Sequence, residues 1–216
     1  RRQRQMCIRD RFKPGQAYNS FMENKSIEIV VVQNQADFDE VMKIRRAVFV
    51  DEQKIPAEQE FDGNDFVSTH ILAKVDGVGV GTMRIRYFAD FTKFERMAVL
   101  RGFRKTSVSS DIMNKGFEFV SRKGYRQVYG MCKKELLNRW RECGYERIEG
   151  APLLRHNGME LIPIKRELPK DPKALHICSH PELLTAREDA WDEVFVPTSD
   201  KALMMIANIK NKISGK

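Results

Sequence analysis

The 216 residues hold 42% hydrophobic and 31% charged side chains, the balance of a soluble globular chain with room for one sizeable core and an appendage. No apolar run approaches the roughly 20 residues that a membrane helix needs, and the N-terminus lacks the apolar stretch of a secretory signal. The formal net charge is +8, but residues 1–13 supply +5 of it, so the remaining +3 is ordinary and a nucleic-acid binder is not expected.

Residues 1–13 (Arg1-Arg-Gln-Arg-Gln-Met-Cys-Ile-Arg-Asp-Arg-Phe-Lys13) resemble a translated sequencing-adapter peptide. Residues 1–24 show no stable periodicity and are expected to be a disordered or artefactual segment, outside the fold. Cys7, Cys132, Cys143 and Cys178 show no paired spacing, which reads as reduced thiols in a cytoplasmic protein with no metal site.

Ile27 to Val32 is a β-branched run and predicts a buried strand. Phe38, Val41, Met42, Arg45, Val48 and Phe49 then recur at three- and four-residue steps, the face of a helix that fades near Lys54-Ile-Pro56. Ala57 to Asp65 reads as an acidic loop or short helical turn. A hairpin follows: His70 to Val75, a turn at Asp76-Gly77, and Val78 to Tyr87. The apolar phase slips along its second strand, so Gly79 or Gly81 is the place for a bulge. Thr92 to Leu100 predicts another strand. Val108, Ile112, Met113, Gly116, Phe117 and Val120 predict a helix, with Gly124 as its C-terminal cap. Gln127 to Met131 is a short strand, and Glu135 to Glu142 a short helix stopped at Gly144. Tyr145 to Ile148 and Met159 to Arg166 are expected to close the sheet as a pair.

This order predicts an α/β (α+β) fold with a mixed sheet, spanning residues 25–168. Beyond it, Pro169, Pro172, Pro181 and Pro197 interrupt regular structure. Residues 169–216 are expected to be an extension that wraps back or meets a partner, with a terminal helix from Ser199 to about Asn211.

The most informative stretch is the strand ending at Leu100, followed by Arg104-Lys-Thr-Ser-Val-Ser-Ser110 and a helix. A helix start leaves a row of N–H groups without intrahelical partners, and the helix dipole adds positive potential there. Such a row binds phosphate, and Arg104 and Lys105 add full charge. Arg104, Lys105, Thr106, Ser107, Val108, Ser109 and Ser110 are therefore candidates for holding a phosphate-bearing cofactor.

Five segments in order make the chain similar to the GNAT acyltransferase superfamily. They are Ile44-Arg-Arg-Ala-Val-Phe-Val-Asp-Glu-Gln53, Glu60-Phe-Asp62, Gly79-Val-Gly-Thr-Met-Arg-Ile85, Glu95-Arg-Met-Ala-Val-Leu100 with Arg104 four residues on, and Arg139-Trp-Arg-Glu-Cys-Gly-Tyr145. The resemblance covers roughly residues 27–167. It implies a mostly antiparallel sheet with a V-shaped split, flanked by helices, where the pantetheine of an acyl-CoA lies. It implies that the backbone of Met97, Ala98 and Val99 pairs with the pantetheine and that the turn after it binds the pyrophosphate. The family usually has glycines at the positions of Lys105, Ser107 and Ser109. Serine keeps the amide donor and adds a hydroxyl.

Trp140 stands where relatives often place a tyrosine that protonates the departing thiolate; an indole is a poor acid, so Trp140 is expected beside the pantetheine or acyl chain. Tyr145 is a weaker candidate acid. Glu95 resembles a family general base, with an ion pair to Arg84 or Arg96 as the alternative. His70 is a second candidate base, or a satisfied histidine at a sheet edge. Asp62 and Asp65 are candidates for a cationic amine, or solvated loop residues. The activity so implied is transfer of an acetyl or other acyl group from acyl-CoA to a small-molecule amine. The alternatives are a synthase that takes its acyl chain from acyl carrier protein, as N-acyl amino acid and acyl-homoserine-lactone synthases do, and a binding module without catalysis. The acceptor is not legible, its loops being Ala57 to Asp65 and about Leu153 to Gly158. Nor is the oligomeric state.

Overall fold

The computed structural model describes residues 27–156 and 158–194. The expectations for residues 1–24 and for a helix from Ser199 fall outside the described residues. The chain divides into two compact units, one up to Asp171 and one from Pro172.

In the first unit, β1 (Ile27–Val31) leads into α1 (Gln35–Arg45), capped where the Asn34 side chain accepts the Asp37 N–H at 2.9 Å. The helix runs on as a π-helix over Arg46–Glu52, a geometry often found at functional sites. α2 (Ala57–Glu60) and a 3₁₀ turn (Asn64–Val67) follow. The hairpin is β2 (Thr69–Val75) and β3 (Val78–Tyr87). Ala73 faces Gly81 and Lys74 faces Gly79, so Val80 is the extra residue of a bulge between the two glycines, as the phase slip predicts. β4 (Thr92–Val99), α3 (Val108–Arg122), β5 (Gln127–Lys133) and α4 (Leu137–Glu142) come next. β6 (Glu146–Arg147), β7 (Leu154–His156) and β8 (Met159–Glu167) complete the unit. Gly124 and Gly144 end α3 and α4 with φ of 91° and 78°, where a side chain would be strained.

The sheet order is β1-β2-β3-β4-β5-β8-β6, with β7 also on β8. Every pairing is antiparallel except β4 with β5. Side-chain alternation sends Ile71 and Met83 to one face and Leu72 and Ala98 to the other. α1 covers the second face, where Val41, Ile44 and Val48 pack with Leu72 and Ala98. α3 covers the first: a Cβ on Gly116 would come 2.6 Å from Met83 Cε, and one on Gly81 would meet Ile112 and Val108 at 2.9 Å.

Two expectations are corrected. β1 is the sheet's edge strand, half-exposed along most of its length, because β2 alone pairs with it. The segment expected to be a variable loop around Leu153 to Gly158 contains β7, hairpinned onto β8 with Leu154 opposite Leu161. Three residues are too few to show alternation in a sequence.

In the second unit, α5 (Pro181–Thr185) starts with proline at its first turn, and Lys173 Nζ lies 3.2 Å from Asp192 Oδ1. No helix among the described residues is long and apolar enough to cross a membrane.

Candidate functional site

β4 and β5 touch only at Thr92–Val128 and Lys93–Tyr129 and then part. Beyond Lys93 the β5-side edge of β4 faces a cavity of about 470 Å³. Its walls come from β4 (Phe94, Glu95, Met97), β5 (Gly130, Met131) and the aromatic pair Trp140 and Tyr145. Phe49, at the π-helix, closes another side.

A bulge bends β4 at this point. Thr82 faces Ala98 and Arg84 faces Glu95, so Arg96 and Met97 together oppose Met83. Arg96 sits at φ 54°, a left-handed conformation that arginine adopts only under constraint. Its guanidinium is held by Glu60 at 2.8 Å and by the Gln59 carbonyl at 3.1 Å.

Past the bulge, Leu100 N donates to Val80 O at 2.9 Å, and Ala98 pairs with Thr82. Antiparallel alternation therefore turns the Ala98 main chain toward β3 and the Val99 main chain toward the open edge. Val99 O there accepts Arg104 Nε at 2.9 Å. Of the three residues expected to offer their backbone to a pantetheine, Val99 has only its N–H left on the open edge because Arg104 takes its carbonyl, Met97 lines the cavity, and Ala98 is turned toward β3 and buried.

At the start of α3, Thr106 N is bonded to Phe103 O, and Val108 N to Thr106 Oγ1. Among the described residues, the amides of Ser107, Ser109 and Ser110 have no protein acceptor. Ser107 and Ser110 are exposed and Ser109 is half-buried. The predicted row of donors is thus present but shorter than the seven-residue stretch suggested. Arg104 is engaged elsewhere: its two terminal nitrogens grip both oxygens of Glu52 at 2.6 and 2.7 Å. Lys105 is exposed.

On the α1 face, sequence-distant charges converge. Arg45, fully buried, donates to Glu60 Oε1 at 2.6 Å and also binds Asp65. Arg84, also buried, forms a fork with Asp62 at 2.7 and 2.8 Å. It reaches Asp65 at 3.0 Å and Glu95 Oε1 at 2.6 Å. Lys93 takes the other Glu95 oxygen at 2.6 Å. Burial pushes the Glu95 carboxyl up, but Lys93 and Arg84 outweigh it and hold it below the usual range. The same contest at Asp62, decided by Arg84, leaves its carboxyl well below the usual range. Asp62, exposed at the cavity wall, and Asp65, buried, both bind the protein's own arginines. Glu95 pairs with Arg84, as one alternative held, and with Lys93.

His70 stands in the sheet interior on β2 and not at an edge, only 3% exposed. Burial lowers its pKa to about 4, so the ring is neutral, and its Nδ1 has no partner. Tyr145 is likewise 3% exposed, with its hydroxyl unpartnered among the described residues and its ring edge-on to Trp140 at 5.2 Å. Burial raises its pKa, which keeps the hydroxyl protonated. The described residues contain no cluster of His, Cys, Asp or Glu that would hold a metal ion.

Sequence reasoning did not find Lys93, Glu60 or the site role of Arg45. An arginine on the apolar face of α1 was the available signal, because a buried cation requires a buried partner.

The structure matches an acetyltransferase of the GNAT family from Staphylococcus aureus Mu50 at TM-score 0.54 and 15% identity, covering 67% of this chain and 100% of that one. This is the GNAT fold. An acyl-CoA N-acyltransferase from Pseudomonas aeruginosa matches at TM-score 0.59 and 19% identity, over 65% of this chain and 99% of that one. In sequence, the uncharacterized N-acetyltransferase YjcF of Bacillus subtilis strain 168 is 33% identical over 87 residues, 40% of this chain and 62% of YjcF. The chain spans 62–65% of the length of the curated relatives it matches. No family model matches.

Proposed function

We propose that the chain is an N-acyltransferase that moves an acetyl or other acyl group from acyl-CoA to an amine, by direct transfer in a ternary complex. The observation that carries this reading is the parting of β4 from β5, which leaves the Val99 N–H without a strand partner, together with the unbonded amides of Ser107, Ser109 and Ser110 at the start of α3. The edge suits the amides of a pantetheine arm, and the helix start suits its diphosphate.

Transfer requires the amine nitrogen to attack the thioester carbonyl, forming the C–N bond as the C–S bond breaks. The departing thiolate needs a proton. Tyr145 supplies one in this reading: its hydroxyl lies at the cavity wall without a partner among the described residues, burial makes it a weaker acid than a free tyrosine, and the proton that the attacking nitrogen releases replaces the one it donates. Glu95 lines the same cavity, but a carboxylate held by two cations is a weak base. We assign it to positioning Arg84 and Lys93, so the amine reacts from its neutral fraction. On this account kcat/KM rises with pH up to the acceptor's own pKa, and Glu95→Gln keeps that limb. Loss of the limb in Glu95→Gln restores Glu95 as the general base.

The test is a thermal shift with acetyl-CoA and longer acyl-CoAs, followed by a mass-spectrometric screen of amines. Acyl-CoA is expected to raise Tm, and Arg104→Ala combined with Ser107→Asp to remove the rise. No shift and no turnover at millimolar acyl-CoA would overturn the reading. Turnover with acyl carrier protein donors alone would change the donor and keep the chemistry.

A further inference from the structure

Arg86, Lys93 and Arg96 line the cavity with Glu60, Asp62 and Glu95, and Arg45, Arg84 and Asp65 stand behind them in the same network. Arg45, Arg84, Arg86, Lys93 and Arg96 face four carboxylates: Glu60, Asp62, Asp65 and Glu95. Each carboxylate is already held by at least one of the other four cations. Glu60 binds Arg45 and Arg96, Asp62 binds Arg84 and Arg96, Asp65 binds Arg45 and Arg84, and Glu95 binds Arg84 and Lys93. Arg86 is left over. It lines the cavity, lies within ion-pair distance of no carboxylate among the described residues, and has its guanidinium 5.3 Å from the Phe88 ring centroid.

The placement is costly. Arg86 stands directly opposite Lys93 across the β3–β4 pair, on the same face. Like charges in that position repel. Lys93 is relieved by Glu95 at 2.6 Å, and Arg86 by nothing comparable. An uncompensated guanidinium on a cavity wall, next to a second cation, is a site for an anion.

We propose that the acceptor is an amine that also carries a carboxylate, an amino acid in the broad sense, and that Arg86 binds that carboxylate. The proposal rests on the acyltransferase reading and names the substrate class of the same cavity. A carboxylate fits the planar fork of Arg86 through two N–H donors and gives it the counter-charge that the described carboxylates do not. The amine end of such a molecule then lies deeper in the cavity, toward the parting of β4 and β5.

The experiment uses the full chain, acetyl-CoA and two matched pools: the twenty amino acids and their carboxamides, with transfer followed by mass spectrometry. The acid pool is expected to exceed the amide pool in kcat/KM by about tenfold or more. Arg86→Gln is expected to raise KM for the acids about tenfold and bring the two pools close together. Arg86→Lys is expected to restore part of the difference. The Tm rise with acetyl-CoA, measured on each variant, shows that the fold and donor site are intact. Amides equal to or better than acids would overturn the proposal and leave the acyltransferase reading standing, and so would an equal loss for both pools in Arg86→Gln. No Tm rise and no transfer to either pool would remove the reading and this proposal together.

Discussion

His70 illustrates how a single side chain reports its surroundings. The folded protein keeps the ring neutral down to about pH 4, while an unfolded chain protonates it near 6.5. Between those values the unfolded state binds more protons, so stability falls as pH drops from 6.5 to 4. The His70 contribution is about 3 kcal/mol across that window. Urea unfolding at pH 7, 5.5 and 4.5 is expected to show this slope in the wild type and a flatter one in His70→Gln; equal slopes would contradict it. Asp65 holds both Arg45 and Arg84 in the interior. Asp65→Ala leaves two buried cations short of a partner and is expected to cost about 3–5 kcal/mol by chemical denaturation. A loss below about 1 kcal/mol would mean the network relaxes around the gap. None of this was legible in the sequence. Glu60, Asp62 and Asp65 sit in a short acidic stretch that reads as solvated, and Arg45 and Arg84, 15 to 22 positions away, pair with it and leave Glu60 and Asp65 buried.

The helix α3 and the strand β4 divide the site's labour between them. Ser107 occupies the N-cap position of α3 but makes no side-chain cap. Ser107→Asp puts a carboxylate where both cap geometry and helix dipole favour one, which stabilises the free protein by about 0.3–1 kcal/mol. The same carboxylate repels a diphosphate. The expected result is a higher Tm without ligand and a lost response to acetyl-CoA; a retained response would place the diphosphate elsewhere. Gly81, at the bulge of β3, has its missing Cβ 2.9 Å from Ile112 and Val108. Both side chains are fully buried, so Gly81→Ala is expected to cost about 1–3 kcal/mol. These elements were legible because periodicity survives over their length. α3 shows apolar positions at helical spacing for 15 residues, and the phase slip at Gly79–Gly81 located the bulge. β7, with three residues, carried no such signal. The second bulge, at Arg96, was hidden because a non-glycine residue holds the left-handed conformation.

For the chain taken together, the order of elements sufficed to predict a mixed sheet, and the resemblance carried by the five motif segments implied its mostly antiparallel pairing and its split. What the order does not contain is which side of β4 remains unpaired. That follows from long-range register: Thr92 and Lys93 meet Val128 and Tyr129, β5 stays paired with β8 on its other side from Gln127 to Lys133, and beyond Lys93 β4 is left with an open edge. The claim on which the rest depends is that this edge and the first turn of α3 together seat an acyl-CoA. The most direct measurement is backbone amide NMR of the full chain during titration with acetyl-CoA. The account predicts saturable shifts concentrated at Val99, Ser107, Ser109 and Ser110, with Ala98 nearly still because its amide belongs to β3. Saturable binding that leaves those amides unmoved, or no binding at millimolar ligand, would contradict it.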